Sequence, residues 1–132
     1  MSAKPKPGPK PSHDTPSKGA VLTKATIRAA DKLDVSQKVL ASIIGVSESV
    51  VSRMRNGSVA LDSDSGKPFE LAALFIRLYR SLDAIVGGDE AVARAWLKSE
   101  NTFLRSRPID LIQKVQGLLD VIQYLDARRA PI

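Results

Sequence analysis

The segment Ser36–Gly57, SQKVLASIIGVSESVVSRMRNG, contains two short amphipathic patterns separated by Gly45. Apolar residues recur at helical spacing over residues 39–44 and again over residues 50–54. The segment therefore predicts two short helices joined by a tight turn, which is the helix-turn-helix arrangement.

Small and polar residues within the segment support this arrangement. Gly45 permits a positive φ at the turn, and Ala41 permits a close approach of the two helices. Ser47 is a good N-cap for the second helix, and Asn56 and Gly57 are suited to end it because both tolerate left-handed backbone angles. A generic helical hairpin is the alternative, but it explains the glycine and not the small residue at position 41.

The outward positions of the second helix are candidate DNA contacts, because this helix enters the major groove in helix-turn-helix proteins. We expect Arg53 to bind guanine O6 and N7 and Glu48 to accept from cytosine N4. Four further residues are expected to bind phosphates, namely Ser47, Ser49, Ser52 and Arg55. Gln37 and Asn56 complete the predicted DNA-binding set. Each residue is also compatible with an ordinary solvated position on a helix.

The region before this segment divides into an arm and a helix. Residues 1–18 contain five of the eight prolines and four lysines, which predicts an extended basic arm over residues 1–19. The arm either touches DNA phosphates or a neighbouring groove, or has no essential role. Residues 20–33 predict a helix that supports the helix-turn-helix, with a core face of Val21, Leu22, Ala25, Ala29 and Leu33.

The region after the segment predicts only helices. Asp62 and Asp64 suit a polar turn better than a metal site. Pro68–Val86 is the longest helical pattern, and its apolar stripe is wide enough to predict burial between two domains or across a dimer.

Shorter helices are predicted over the remaining residues. Asp89 is expected to cap a helix whose inner face is Val92, Ala95, Trp96 and Leu97. Pro108 is expected to open another, with Ile109, Ile112 and Val115 inside, and Gly117 to interrupt the pattern before a last helix. No segment has the alternation of a strand, so we predict an all-α fold.

Composition restricts the classes of function. The 132 residues carry a net charge of +6, and the basic excess lies in residues 1–62, which suits a partner with a phosphate backbone. There is no Cys, and His13 is the sole histidine, which disfavours a zinc site, a cofactor and nucleophilic catalysis. With no long apolar stretch and no signal peptide, we expect a cytoplasmic protein that is not an enzyme.

The C-terminal half carries a family pattern in Ala95-Trp96-Leu97, Asn101 with Leu104, Pro108–Leu111 and Gly117. In this order and spacing it resembles the toxin-binding domain of the Xre/MbcA/ParS antitoxins. The resemblance implies a dimer that binds the operator of its own two-gene operon. It also implies neutralisation of a RES-domain toxin that depletes NAD, with the last residues of the antitoxin reaching towards the active-site cleft.

One departure from the family pattern concerns those last residues. Where the family usually has a glycine followed by apolar residues, this chain has Arg128 and then Arg129-Ala-Pro-Ile132. The two arginines suit either acidic surroundings in a nucleotide site or the negative end of the helix dipole. The predicted toxin-binding residues are Trp96, Asp126, Arg128, Arg129 and Ile132.

Two functions follow from these patterns. The first is an antitoxin with an arm (residues 1–19), a helix-turn-helix domain (20–66) and a helical toxin-binding and dimerisation domain (67–132). The second is a phage-type dimeric repressor without a toxin partner. A RES-domain protein encoded in the adjacent reading frame would favour the first.

Overall fold

The computed structural model describes residues 17–64 and 66–129, and every regular element in these ranges is a helix. The seven helices are α1 (Lys18–Lys32), α2 (Gln37–Ile44), α3 (Glu48–Asn56), α4 (Lys67–Ile85), α5 (Glu90–Lys98), α6 (Pro108–Leu111) and α7 (Val115–Arg129). Asn101 and Ser106 form an isolated antiparallel bridge, but the described residues contain no strand. The predicted all-α fold is confirmed.

Helices α2 and α3 form the predicted helix-turn-helix. Gly45 adopts φ 73°, and its N–H donates to the carbonyl of Ala41, which is buried. The Ser47 hydroxyl accepts from the Val50 N–H at 3.2 Å and caps α3. Leu71 of α4 reaches to 3.5 Å from the place where a Cβ on Gly45 would be. The turn therefore lies directly on α4.

Helix α1 supports this unit through a buried stripe that includes two polar residues. The Thr23 hydroxyl donates to the Gly19 carbonyl at 2.7 Å and accepts from the Leu61 N–H at 2.8 Å, so it anchors the segment after α3. The Thr26 hydroxyl donates to the Leu22 carbonyl at 2.8 Å. Since backbone partners satisfy both hydroxyls, these threonines lie in the core at no large cost.

The prediction that Val21 belongs to the core is wrong, because its side chain is 53% exposed. At about 100° per residue, Val21 lies about 140° around the helix from Thr26, which is fully buried. Ala29 and Leu33 of the predicted core face are buried, but the apolar pattern included Val21 because it could not register the buried threonines.

Helix α4 is the longest helix and contacts both parts of the chain. It packs against α1 and α2 on one side and against α7 and α5 on the other. Phe75, Leu78 and Leu82 are almost completely buried along its length. Most of the wide apolar stripe is thus covered within one chain. The width of the stripe is therefore not in itself evidence of a dimer.

The predicted inner face of α5 is partly wrong. Val92 is 49% exposed and Ala95 is exposed, whereas Ala93 and Leu97 are the buried residues of this helix. A nine-residue helix with alanines on several sides offers more than one apolar stripe, so the pattern cannot choose between them. Val115 was also expected inside but begins α7 and is 51% exposed.

The prediction that Gly117 interrupts the helical pattern is wrong, because this residue lies within α7. A Cβ at this position would lie 2.0 Å from the carbonyl oxygen of Leu111, at the end of α6. The glycine is needed because it lets the backbone of α6 pack directly onto α7.

Polar contacts join α5 to the end of α1 and the residues just after it. Lys98 Nζ lies 2.7 Å from a carboxylate oxygen of Asp34, and Arg94 Nε donates to the Lys32 carbonyl at 2.8 Å. The hydrogen bond and charge of Lys98 hold the pKa of Asp34 below its ordinary value. These contacts supplement the apolar packing of α4 between the two parts.

Candidate functional site

Helix α3 presents a continuous polar face to solvent. Val51 and Met54 point into the core, and Val50 beside them is half-buried. The opposite side of the helix carries five exposed residues, Glu48, Ser49, Ser52, Arg53 and Asn56. Their spacing places them within about 140° of one another around the helix axis. The structure therefore brings most of the predicted DNA-binding residues onto one surface, which we call the recognition face.

The start of the recognition face is held by short contacts between α2 and α3. Gln37 lies at the first position of α2, and its side-chain amide donates to the Glu48 carbonyl at 3.2 Å. Ser47 uses its hydroxyl to cap α3. Both residues were predicted to bind DNA, and both also set the angle at which α3 leaves the turn.

Arg53 lies along the recognition face with only weak contacts. Its Nε is 3.4 Å from the Ser49 carbonyl, and its Nη2 is 3.5 Å from the Ser49 hydroxyl. Both distances are at the long end for hydrogen bonds. The guanidinium can therefore exchange these partners for a base edge or a phosphate at little cost.

Arg55 differs from the other predicted contacts because it faces α1. Its two terminal nitrogens donate to the two carboxylate oxygens of Asp31 at 3.0 and 2.9 Å. The hydrogen-bonded carboxylate raises the pKa of Arg55 above its ordinary value. Arg55 thus contributes to holding α3 on α1, a role that sequence reasoning missed because Asp31 is distant in the chain.

Asn56 also has a role within the fold. Its Oδ1 accepts from the N–H of Ser58 at 2.9 Å and from the Ser58 hydroxyl at 2.6 Å. This contact shapes the chain as it leaves α3 at Gly57, which adopts φ 84° as predicted for the helix end.

The second candidate surface consists of three aromatic rings. Tyr124 of α7 stacks on Trp96 of α5 at 6.1 Å between ring centroids, and Phe103 lies 5.0 Å from Tyr124. The guanidinium carbon of Arg128 lies 4.5 Å from the centre of the Tyr124 ring. We call Trp96, Phe103 and Tyr124 the aromatic surface. Sequence analysis singled out Trp96 and Arg128 but missed the other two rings.

The carboxylate of Asp126 binds α4. It accepts hydrogen bonds from Arg77 and, at 2.8 Å, from the hydroxyl of Ser81, which is fully buried. Burial disfavours the charged carboxylate, but hydrogen bonds from Ser81 and Arg77 and the charges of Arg77 and Arg129 outweigh it and lower the pKa of Asp126. Asp126 therefore stabilises the packing of α7 on α4, independently of any contact with a partner.

The remaining predicted residues lie at the ends of the described ranges. Arg129 Nη1 lies 3.4 Å from the Ser81 hydroxyl, beside Asp126. Ile132 and the greater part of the predicted N-terminal arm lie outside the described residues.

Other kinds of site find no support in residues 17–64 and 66–129. No group of three or more His, Asp or Glu side chains there has a geometry that holds a metal ion. No helix in the same ranges has both the length and the apolar character needed to cross a membrane.

Comparison with known families gives two matches that follow one another along the chain. Residues 12–77, half of the chain, match the antitoxin Xre-like helix-turn-helix domain. Residues 81–130 match the antitoxin Xre/MbcA/ParS C-terminal toxin-binding domain. The recognition face lies in the first match and the aromatic surface in the second, and neither description is that of an enzyme. No curated protein matches the chain.

The Asp126 contacts predict a pH-dependent contribution to stability. A carboxylate whose pKa is lowered by folding stabilises the protein above its unfolded pKa of about 3.9, and this contribution is lost as pH falls through the folded pKa. Asp126→Asn should lower the free energy of unfolding at pH 7 by about 0.5–1.5 kcal/mol. Below about pH 4 the difference should shrink. Urea denaturation of the two proteins across this pH range measures the difference in the free energy of unfolding and its dependence on pH.

Asp120→Asn is the matched control, because Asp120 is an exposed residue of the same helix whose partner is Gln116 in the preceding turn. It should change stability little at either pH. An Asp126→Asn protein as stable as the unchanged chain at pH 7 would contradict a stabilising role for this carboxylate.

Proposed function

The chain belongs to the Xre-type antitoxins, and from this premise we propose that it neutralises a cognate RES-domain toxin by direct binding and represses its own operon. Toxin binding is assigned to the C-terminal half and operator binding to the helix-turn-helix. The observation that carries the proposal is the order of the two family matches in a chain that presents a separate exposed surface in each.

The identity of the toxin rests on the family resemblance. Members of this family pair with RES-domain toxins that deplete NAD, and we propose the same partner here. We also propose the domain division at residues 1–19, 20–66 and 67–132, and action in the cytoplasm, where operator DNA and NAD are both present. A repressor without a toxin partner is the alternative. The match to a toxin-binding domain favours the antitoxin.

Operator recognition is proposed to use the recognition face. Arg53 has an exposed guanidinium with weak internal contacts, which suits bidentate binding of guanine. Glu48 can accept from cytosine, and the exposed serines of the face can bind phosphates. Arg55 is already paired with Asp31, so we assign it a smaller share of the binding energy.

Substitutions of Arg53 and Arg55 should distinguish a residue that binds DNA from one that stabilises the fold. Arg53→Ala should weaken binding to the cognate operator by about 1–3 kcal/mol and relax the preference at one base pair. Arg55→Ala should cost less affinity but remove a surface ion pair, for about 0.2–1 kcal/mol of stability. Fluorescence anisotropy with operator and scrambled duplexes, together with denaturation, measures both effects.

The scrambled duplex identifies the kind of contact that Arg53 makes. An equal loss on both duplexes would make Arg53 a phosphate contact, and no loss on either would remove it from the interface.

A homodimer is proposed to place two recognition helices about 34 Å apart, or a multiple of it, as an operator with inverted repeats requires. Most of the apolar stripe of α4 is buried within the chain. One edge remains, where α4 and α1 border an open groove lined by Val21, Leu22, Ala25, Phe69, Ala73 and Ile76. Val21 is the most exposed large apolar residue in α1. This groove is our candidate for the dimer interface.

Val21→Arg should convert the dimer into a monomer, because it places a charge between Lys18 and Arg80 at the edges of the groove. Val92→Arg is the control, since it adds the same charge at a similarly exposed position on α5. Sedimentation at micromolar concentration without toxin reads out the result. A monomeric unchanged chain would contradict the dimer, and a dimeric Val21→Arg protein would exclude the groove.

Toxin neutralisation is proposed to involve Trp96, Asp126, Arg128, Arg129 and Ile132, with the C-terminal residues reaching the toxin cleft. Arg128 and Arg129 are exposed at the end of α7, a position from which they can reach a partner. Asp126 would contribute by positioning this last turn through Arg77 and Ser81.

Deletion of residues 128–132 should leave folding and operator binding nearly intact but sharply weaken protection from the toxin. The described contacts that it removes are the Arg128 contact with Tyr124 and the Arg129 contact with Ser81, and both arginines are exposed. Co-expression of full-length and truncated chains with the toxin, scored by growth and cellular NAD, tests this. If the full-length chain gives no protection, the toxin assignment is wrong. Equal protection by both chains would show that these residues are not the inhibitory element.

A further inference from the structure

Phe103 is held in an exposed position by a hydrogen-bonded turn. Its side chain is 74% exposed, the highest value among the large apolar residues that the structure describes. The turn is closed by the Asn101 N–H donating to the Ser106 carbonyl at 3.1 Å and the Arg105 N–H donating to the Asn101 carbonyl at 2.7 Å. The Asn101 side chain also accepts from the Leu104 N–H at 3.0 Å. These bonds present Phe103 to solvent in a defined conformation.

The turn also contains backbone strain. Arg105 adopts φ 61°, in the left-handed region that non-glycine residues rarely occupy, which costs about 1 kcal/mol or more. Because Phe103 stays largely exposed, its burial contributes little to offset this strain. The fold itself gains little from this arrangement, so a binding partner is the more direct explanation.

The aromatic surface is assembled from three separate segments. Trp96 comes from α5, Phe103 from the turn and Tyr124 from α7, and the Tyr124 ring contacts both of the others. Trp96 and Tyr124 are half-buried, so their positions are fixed before any partner arrives. Rigid aromatic side chains beside an arginine are the residues that contribute most binding energy in protein interfaces. Because they are already ordered, little conformational entropy is lost on binding.

Other apolar residues in the matched toxin-binding region do not form a comparable surface. The apolar residues of α7 that face α4 are buried within the chain, including Val121 and Leu125. Ile85, Val92 and Val115 are exposed, but none of them is part of the ring cluster, and isolated exposed apolar residues are common on protein surfaces. The aromatic surface is the exposed apolar cluster that this region offers.

The charges around the aromatic surface indicate the chemistry of its partner. Arg128 contacts the Tyr124 ring, and Arg105 is an exposed residue of the turn that carries Phe103. A shallow groove beside the rings, which includes Leu104, Gln123 and Ala127, adds one carboxylate, Asp120. A complementary partner would therefore have an apolar pocket for Phe103 with acidic residues at its edge.

We propose that the aromatic surface is the primary docking site for the toxin and that Phe103 is its central anchor. This rests on the proposed function only in taking the partner to be the RES-domain toxin. The residues after Arg128 would then act on an already docked toxin. Affinity comes mainly from the rings, and inhibition comes from the C-terminal residues.

Binding of the purified RES-domain toxin to the full-length chain, measured by titration calorimetry, tests the docking site. Phe103→Ala should weaken the complex by about 30-fold or more, the level expected of a central interface residue. Phe103→Tyr keeps the ring and should change affinity less than about threefold. Phe103→Glu should weaken binding more than alanine does, because it places a like charge against the acidic edge expected on the partner.

Val92→Ala is the control, because Val92 is an exposed apolar residue in the same matched region but away from the rings. It should leave the affinity within about threefold. Because Phe103 is largely exposed, its replacement should leave the fold intact, and unchanged operator binding by Phe103→Ala checks this directly.

The outcomes separate the two proposals. If the unchanged chain forms no complex with the toxin, both the proposed partner and this docking site are wrong. If the unchanged chain binds and Phe103→Ala binds equally well, only the docking site is wrong. If deletion of residues 129–132, which keeps Arg128, weakens binding as strongly as Phe103→Ala does, the division between docking and inhibition fails.

Discussion

Burial of α4 on two opposite sides is the constraint on which the rest of the structure depends. Leu71 supports the turn of the helix-turn-helix at Gly45, while Phe75, Leu78 and Leu82 are buried along the same helix, which also packs on α7. If full burial of each large apolar side chain contributes about 1.5–3 kcal/mol, the energy that holds the two parts together far exceeds that of any surface ion pair. One rigid helix therefore sets the position of the recognition face relative to the aromatic surface.

Polar contacts between helices add to this apolar packing. Lys98 and Arg94 tie α5 to the end of α1, and Asp126 binds Arg77 and Ser81 on α4. These contacts are directional, so they select one relative rotation of helices that apolar packing alone would allow to slide. A toxin bound at the C-terminal half and DNA bound at the N-terminal half would thus contact a chain whose two parts are joined by a common core.

Residues that look functional in the sequence divide into two groups in the structure. Arg53 and its exposed neighbours on α3 keep their side chains available for a partner, whereas Arg55 and Asp126 bind within the chain. Charge and helical position cannot separate these groups, because the distinction depends on Asp31 and Ser81, which are distant in sequence. Phe103 is a residue that the sequence patterns did not single out. It is nevertheless the most exposed large apolar residue among those described.

Local patterns in the sequence determined the helix-turn-helix, the all-α fold, the caps at Ser47 and Asp89, and the left-handed turn at Gly45, since each depends on interactions within a few residues. The family was also readable from the order of its motifs. Tertiary structure alone decided that Thr23 and Thr26 lie inside while Val21 lies outside, and that Gly117 admits the backbone of Leu111 rather than ending a helix. It also decided which rings meet at the aromatic surface. These features depend on which segments approach one another in space. The spacing of residues along one helix does not indicate which other segments will contact it.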